Sequence, residues 1–197
     1  MHTKVKQLIA GSIRTVGEEK TVELHPEIKE FVEENNLVED GIKIVEKSTN
    51  NRFGGAYIER SDKETEEFLG EENSSFLNQP ISYFKTHKNE FMYMEDPSFD
   101  LVSVDAVSFE VDDVFGTYNV MLGLKLQKKY GEAIKSFFAS EMKAEDSRVD
   151  LMFDGNEGIW NINFALNNVE AFNEEMTIQT AYDLIYRFLF KLVVSVL

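Results

Sequence analysis

The sequence predicts an α+β fold: a mostly antiparallel sheet with helices packed on one face and a long apolar helix at the C-terminus. Three observations carry this. The segment Thr177 to Leu197 repeats apolar residues at helical spacing. Residues 101–126 and 148–166 alternate with period two on either side of a helical segment. Two expected hairpins, across 42–59 and 148–166, break the regular βα alternation that a parallel sheet needs.

The terminal segment organises the rest. Thr177 is placed to cap a helix in which Ile178, Ala181, Tyr182, Ile185, Phe188, Leu189, Leu192, Val193 and Val196 recur at helical period. Thr180, Asp183, Arg187 and Lys191 share one narrow polar stripe, with Asp183 and Arg187 at ion-pair spacing. The apolar arc covers roughly two-thirds of the circumference, against ~100° for an ordinary surface helix. A sheet covers one side of such a helix. The remaining surface, centred on Tyr186 and Phe190, needs a second cover: the rest of the chain, a second copy, or a foreign protein. Burial inside the chain is the simplest cover. Tyr186 and Phe190 are the candidate interface residues of a homo-oligomer, most simply a dimer. Arg187 and Lys191 interrupt the run and leave too short an uncharged end for a membrane span.

With 197 residues, 43% hydrophobic content and 16 Phe, the chain has enough apolar surface for a substantial core. It reads as two α+β stretches, 1–88 and 89–197, in one domain or two; the second has the order ββαββα, and the first resembles it in element order alone. Cysteine is absent, which excludes disulfides, thiolate metal sites and cysteine nucleophiles. The N-terminus lacks a long apolar leader core, so the expected location is cytoplasmic. The net charge of −16, from 36 acidic and 20 basic residues, argues against nucleic acid and against an anionic membrane surface. It suits a basic protein partner or a cation.

Along the chain, residues 3–14 fit either a helix or a strand, and the polar run 15–22 reads as a loop. Pro26 opens a helix with Ile28, Phe31 and Val32 on its apolar face, closed at Asn35-Asn36. Strands are expected at 42–47 and 56–59, paired as a hairpin across a long connection, followed by a short helix over Lys63 to Leu69. Residues 70–88 read as a connector, and Phe91 to Met94 as a short strand. From Leu101 to Asp112 a strand slips phase near Ala106-Val107, which a bulge would absorb. Val114, Gly116, Tyr118, Val120, Leu122, Leu124 and Leu126 share one face of a long strand. A helix over 127–142 follows, then a hairpin of Arg148 to Phe153 with a strand around Trp160, Ile162 and Phe164, turned by Asp154 to Gly158.

The chemistry-bearing residues are sparse. Asn89 to Leu124 holds eight acidic residues and no basic one. Of these, Asp105, Glu110, Asp112 and Asp113 are the candidate partner-binding residues, since a carboxylate row grips a basic protein. Glu110 and Asp112, spaced i,i+2 on one expected strand face, also have the oxygen chemistry for a divalent cation. Asp154 to Gly158 lacks the spacing of a calcium loop, and Phe53 to Tyr57 lacks both glycine-rich phosphate patterns. His2, His25 and His87 are scattered without metal-ligand spacing, and there is no nucleophile elbow. No catalytic residue, metal ligand set or cofactor is assigned. The sequence therefore points to a non-catalytic, acidic protein-binding module of chaperone, immunity or regulatory type that recognises a basic protein. The alternative is a small-molecule or divalent-metal-binding domain, with carboxylate chemistry as its route to an enzyme.

Overall fold

The computed structural model describes residues 1–17, 19–143 and 149–197. The chain forms two compact units, residues 1–52 and 53–196.

In the first unit, α1 (His2–Ser12) leads into β1 (Ile13–Val16) and β2 (Glu19–Leu24), then α2 (Pro26–Glu34) and β3 (Ile42–Glu46). Helical period wins over strand period at the start, because Val5 and Ile9 together form the buried stripe of α1. The polar run 15–22, expected as a loop, instead contributes to an antiparallel β1–β2 hairpin turned at Gly17 with φ +66; Glu18 lies outside the described residues. That hairpin escaped the hydrophobic pattern because its strands are short and mostly polar. α2 starts at Pro26 and buries Ile28, Phe31 and Val32. It stops where the Asn35 amide donates to the Phe31 carbonyl at 2.8 Å and Asn36 turns left-handed at φ 51.

Strand β3 does not pair with the strand at 56–59, as the sequence had indicated. It runs parallel to β2, with α2 as the crossover. The long polar connection after β3 contains no tight turn to fix a hairpin register, whereas a strand–helix–strand unit brings β3 back beside β2.

A buried ionic cluster sits in this unit. Arg52, with its side chain fully buried, donates to Glu27 Oε1 at 2.7 Å. His25 is pushed down to about 4, first by burial and then by the positive charge of Arg52, against a smaller opposing pull from Glu27. Its Nδ1 is buried and finds no hydrogen-bond partner among the described residues, so a proton added there faces Arg52 without an acceptor.

The second unit is built on a seven-stranded sheet: β4 (Tyr57–Asp62), β5 (Phe68–Glu72), β6 (Glu90–Glu95), β7 (Val104–Val111), β8 (Tyr118–Leu124), β9 (Val149–Asp154) and β10 (Ile159–Ala165). Their spatial order is β5-β4-β6-β7-β8-β10-β9, every neighbouring pair antiparallel. The expected bulge is present: the β7–β8 register shifts between Val104 and Val107. Arg148, where the sequence began β9, lies outside the described residues.

Two expectations fail here for local reasons. Lys63 to Leu69 is not helical. Asp62 Oδ1 accepts from the amides of Glu64 (3.0 Å) and Thr65 (2.9 Å), Glu66 adopts φ 57, and the chain turns straight into β5. Val114 and Gly116 do not extend β8. Asp112 Oδ1 accepts from Val114 N (2.9 Å) and Phe115 N (2.7 Å), and Gly116 has φ +65, so residues 112–117 form a turn. Val114 and Phe115 are left in water, 81% and 76% exposed.

The helices α4 (Gly131–Glu141) and α5 (Ile178–Val196), with the short helix α3 (Tyr83–Thr86), lie on one face of this sheet. That face is Ile58, Met92, Met94, Val107, Phe109, Val120, Ile162 and Phe164, all at 2% exposure or less. The start of α5 is fixed by the backbone: Ile178 N donates to Gln79 O and Ile81 N to Met176 O, both at 2.9 Å. The Thr177 hydroxyl accepts from Thr180 N at 3.2 Å, as a cap should. On the sheet side, Tyr182 donates to the Val107 carbonyl at 3.2 Å, and the Phe188 ring lies 5.3 Å from Phe164. The rest of the helix meets α4 and the two 3-10 turns Ser74–Asn78 and Pro97–Val102. Phe99 stacks on Tyr186 with ring centroids 6.5 Å apart, and Phe137 of α4 meets Phe188 at 5.1 Å.

Tyr186 and Phe190 are 1% and 5% exposed in the single chain. Little of either side chain is left for a second copy to cover. The polar stripe is wet at Thr180, Arg187 and Lys191, but Asp183 is buried and holds Arg187 at 3.2 Å. Lys191 avoids Arg187 by pairing with Glu141 of α4.

Where α4 begins, Gly131 lies against Trp160: a Cβ there would sit 2.5 Å from Trp160 Cη2 and 2.8 Å from Cζ2. In an open helix Gly→Ala gains up to ~1 kcal/mol. Here Gly131→Ala will lose roughly 1–3 kcal/mol in denaturant unfolding, because the indole ring is fixed by its neighbours. For the first unit, His25 stabilises the fold in its neutral form. That contribution is complete above the unfolded pKa of about 6.5 and is lost as pH falls towards the folded value of about 4. Thermal unfolding followed between those pH values will show the decline, and His25→Gln will flatten it.

Candidate binding surface

Among the described residues of the second unit, no helix packs on the opposite face of the seven-stranded sheet. Strand periodicity puts every second residue there, and the register aligns them in rows. Glu71, Glu59, Tyr93, Ser108, Met121, Asn163 and Asp150 follow one another across all seven strands. A neighbouring row runs Ser61, Phe91, Glu110, Asn119, Ala165. Over strands β6 to β9 the face is concave and forms a cleft of about 970 Å³. Its floor includes Met121, Gly123 and Ile159, and its polar groups include Asp105, Lys125, Asp150, Asn161 and Asn163. Gly123 keeps the floor low, since Ile159 Cδ1 lies 3.1 Å from where its Cβ would be.

The face is strongly acidic. Glu59, Glu71, Glu95, Asp105, Glu110 and Asp150 point to this side, and the lysine of the cleft, Lys125, is already paired with Asp105. Two tyrosines on this face are held above their ordinary range. Tyr93 is pushed up to about 12, first by burial, then by the hydrogen bond it donates to Glu95, then by the charges of Glu95, Asp105 and Glu59. Tyr57 is raised chiefly because it donates to Glu59 at 2.7 Å, with Glu71 and Glu95 adding to the effect.

The four residues marked by the sequence are not one cluster. Asp105 and Asp112 stand near opposite ends of β7, roughly 20 Å apart at the ordinary strand rise. Asp105 sits at the bulge beside the cleft. Glu110 is half-buried on the same face between Phe91 and Asn119; burial holds its carboxyl above the usual range, Lys63 opposes this, and Asp113 and Asp112 reinforce it. Asp112 is committed to its turn, and the amide it accepts from Phe115 does most to hold it below the usual carboxylate range. Asp113 pairs with Lys63 at 3.2 Å, and Lys63 also donates to the Val111 carbonyl at 2.7 Å. Among the described residues no group of His, Asp or Glu converges to hold a metal ion.

Sequence reasoning missed Glu59, Glu71, Glu95 and Asp150. Strand parity in the expected hairpin separates Asp150 from Val149, Leu151 and Phe153 but does not relate it to Asp105, and Glu95 lies beyond the expected strand Phe91 to Met94. Only the register brings together β4, β5 and β9, whose carboxylates lie far apart in the chain.

A second polar network lies on the helix side near β5. Arg60 donates to Glu72 and Glu90, each at 2.9 Å, and to the Tyr83 hydroxyl at 3.1 Å; that hydroxyl donates to Glu90 at 2.9 Å. His87 stacks on the Tyr83 ring at 4.0 Å. Charges and hydroxyls are mutually matched, so the network reads as a clamp joining α3 to the sheet rather than as a reactive centre. Among the described residues no helix is long and apolar enough to cross a membrane. Comparison of the chain with models of protein families, with curated proteins and with solved structures gave no match.

Proposed function

We propose that this chain is a non-catalytic protein-binding module that recognises a basic protein through the open face of its seven-stranded sheet. The observation that carries this reading is the charge of that face: carboxylates from β4, β5, β6, β7 and β9, with Lys125 of the cleft already neutralised by Asp105. A surface of one sign attracts and orients a partner of the other, and the attraction weakens with salt. The apolar floor around Met121 and Ile159 supplies the dry contact that a purely electrostatic encounter lacks. Chaperone, immunity and regulatory roles all fit such a surface. The acidic residues marked from the sequence take different parts: Asp105 and Glu110 lie on the face, while Asp112 and Asp113 shape its hairpin end.

A small-molecule ligand is the second reading, supported by the concavity and volume of the cleft. One pair of experiments separates the two. Affinity capture at low and high salt will recover a partner set biased to basic proteins and released by salt; an unbiased set, or capture indifferent to salt, will overturn the proposal. A thermal-shift screen against metabolites and divalent cations will give no stabilisation of several degrees unless the second reading holds.

A further inference from the structure

The sheet has two edges, and they are not alike. At one end β5 is interrupted: its register with β4 shifts between Arg60 and Ser61, and it contains Gly70. Bulges and glycines of this kind spoil an edge as a template for another strand. At the other end β9 keeps unbroken register with β10 over six residue pairs, from Ile159–Asp154 to Phe164–Val149. It contains no Pro, Gly or Lys and no bulge. Among the described residues β9 pairs with β10 alone, so the amides and carbonyls along its outer side have no strand to bond.

The side chains of β9 say what kind of strand would complete it. Towards the helices point Val149, Leu151 and Phe153, opposite Phe164, Ile162 and Trp160. Their β10 partners are buried at 7% exposure or less, yet these three are only half-buried, as a row waiting for one more strand would be. Lys128 already lies over the Phe153 ring, 5.8 Å from its centroid, and repels a second cation on this side. Towards the open face point Asp150 and the 65% exposed Met152, beside the acidic cleft. An added strand that alternates apolar with basic residues matches both sides at once. A strand with the opposite arrangement would put cations against Lys128 and apolar groups against Asp150.

We propose that β9 is the docking edge for an extended basic segment of a protein partner, which adds to the sheet as an eighth strand. Its apolar residues cover Val149, Leu151 and Phe153, and its Lys or Arg residues meet Asp150 and the open face. About six residues of partner suffice, the length over which β9 is paired. The proposal rests on the basic-partner reading above and adds to it a backbone-mediated mode of attachment. A second copy of this chain is a poor occupant, since each copy carries a net charge of −16.

The probe is a short, capped, labelled peptide alternating lysine and valine, titrated into the full chain by fluorescence anisotropy at low salt. Its control is the same peptide N-methylated at alternate residues, which keeps every charge and side chain but removes main-chain donors. The proposal expects the control to bind about tenfold more weakly or worse, Asp150→Lys to weaken the parent peptide by a similar factor, and hydrogen exchange to slow in the β9 amides on binding. Equal binding of both peptides overturns strand addition while leaving recognition of basic partners by the acidic face intact. No salt-sensitive binding of either peptide overturns both. A protein that is dimeric on its own, with β9 amides already protected, shows that a second copy takes the edge and also overturns the proposal.

Discussion

Enclosure of a single helix sets the terms for the larger unit. α5 buries residues on nearly every side of its axis, from Ile178 and Ala181 through Tyr182, Ile185 and Tyr186 to Leu192 and Val193. A flat layer of strands cannot enclose a cylinder, so the chain supplies other walls. The 3-10 turn Pro97–Val102 brings Phe99 onto Tyr186, and α4 brings Phe137 and Phe138 onto Phe188. Backbone and ionic contacts fix where the helix starts and how it lies: Gln79 and Met176 at its entry, Glu141 to Lys191 near its end. Aromatic residues suit this task because each carries a large buried area on few rotatable bonds.

This arrangement decides what is left for binding. Helices that all gather on one side of an antiparallel sheet leave the other side to water. The alternating pattern that puts Phe109, Val120, Ile162 and Phe164 inwards puts Glu110, Asn119, Asn163 and Ala165 outwards, strand by strand. Core and binding face are therefore written in the same residues at opposite parity. The carboxylates on the outer side keep that broad surface hydrated and give it one sign of charge, which connects the fold to the proposed partner chemistry.

Much of this was legible because the signals were local. Pro26 with Ile28, Phe31 and Val32 fixes α2, the alternation around Trp160 fixes β10, and the apolar period from Ile178 fixes α5. The phase slip near Ala106-Val107 correctly indicated a bulge, because an extra residue must leave a trace in a period-two pattern. The errors came where side chain to backbone bonds competed with pattern. Asp62 and Asp112 each capture two amides and turn the chain, so that Lys63 to Leu69 is no helix and Val114 no strand residue. The pairing of β3 with β2, and the gathering of Glu59, Glu71 and Asp150 beside Asp105, depend on register between distant segments, which no local window contains.

Phe190→Asp tests the central claim most directly, because it places a charge on a side chain of α5 that is only 5% exposed. The variant and the parent protein are compared by thermal unfolding and by light scattering. If α5 is enclosed within its own chain, the variant loses several kcal/mol of stability, about what leaving an unpaired charge in a core costs, or fails to fold, and the mass of the folded parent gives no role to Phe190 in assembly. An unchanged melting temperature, with a fall from a larger assembly to the single chain, would contradict the account and place Phe190 at an interface between copies.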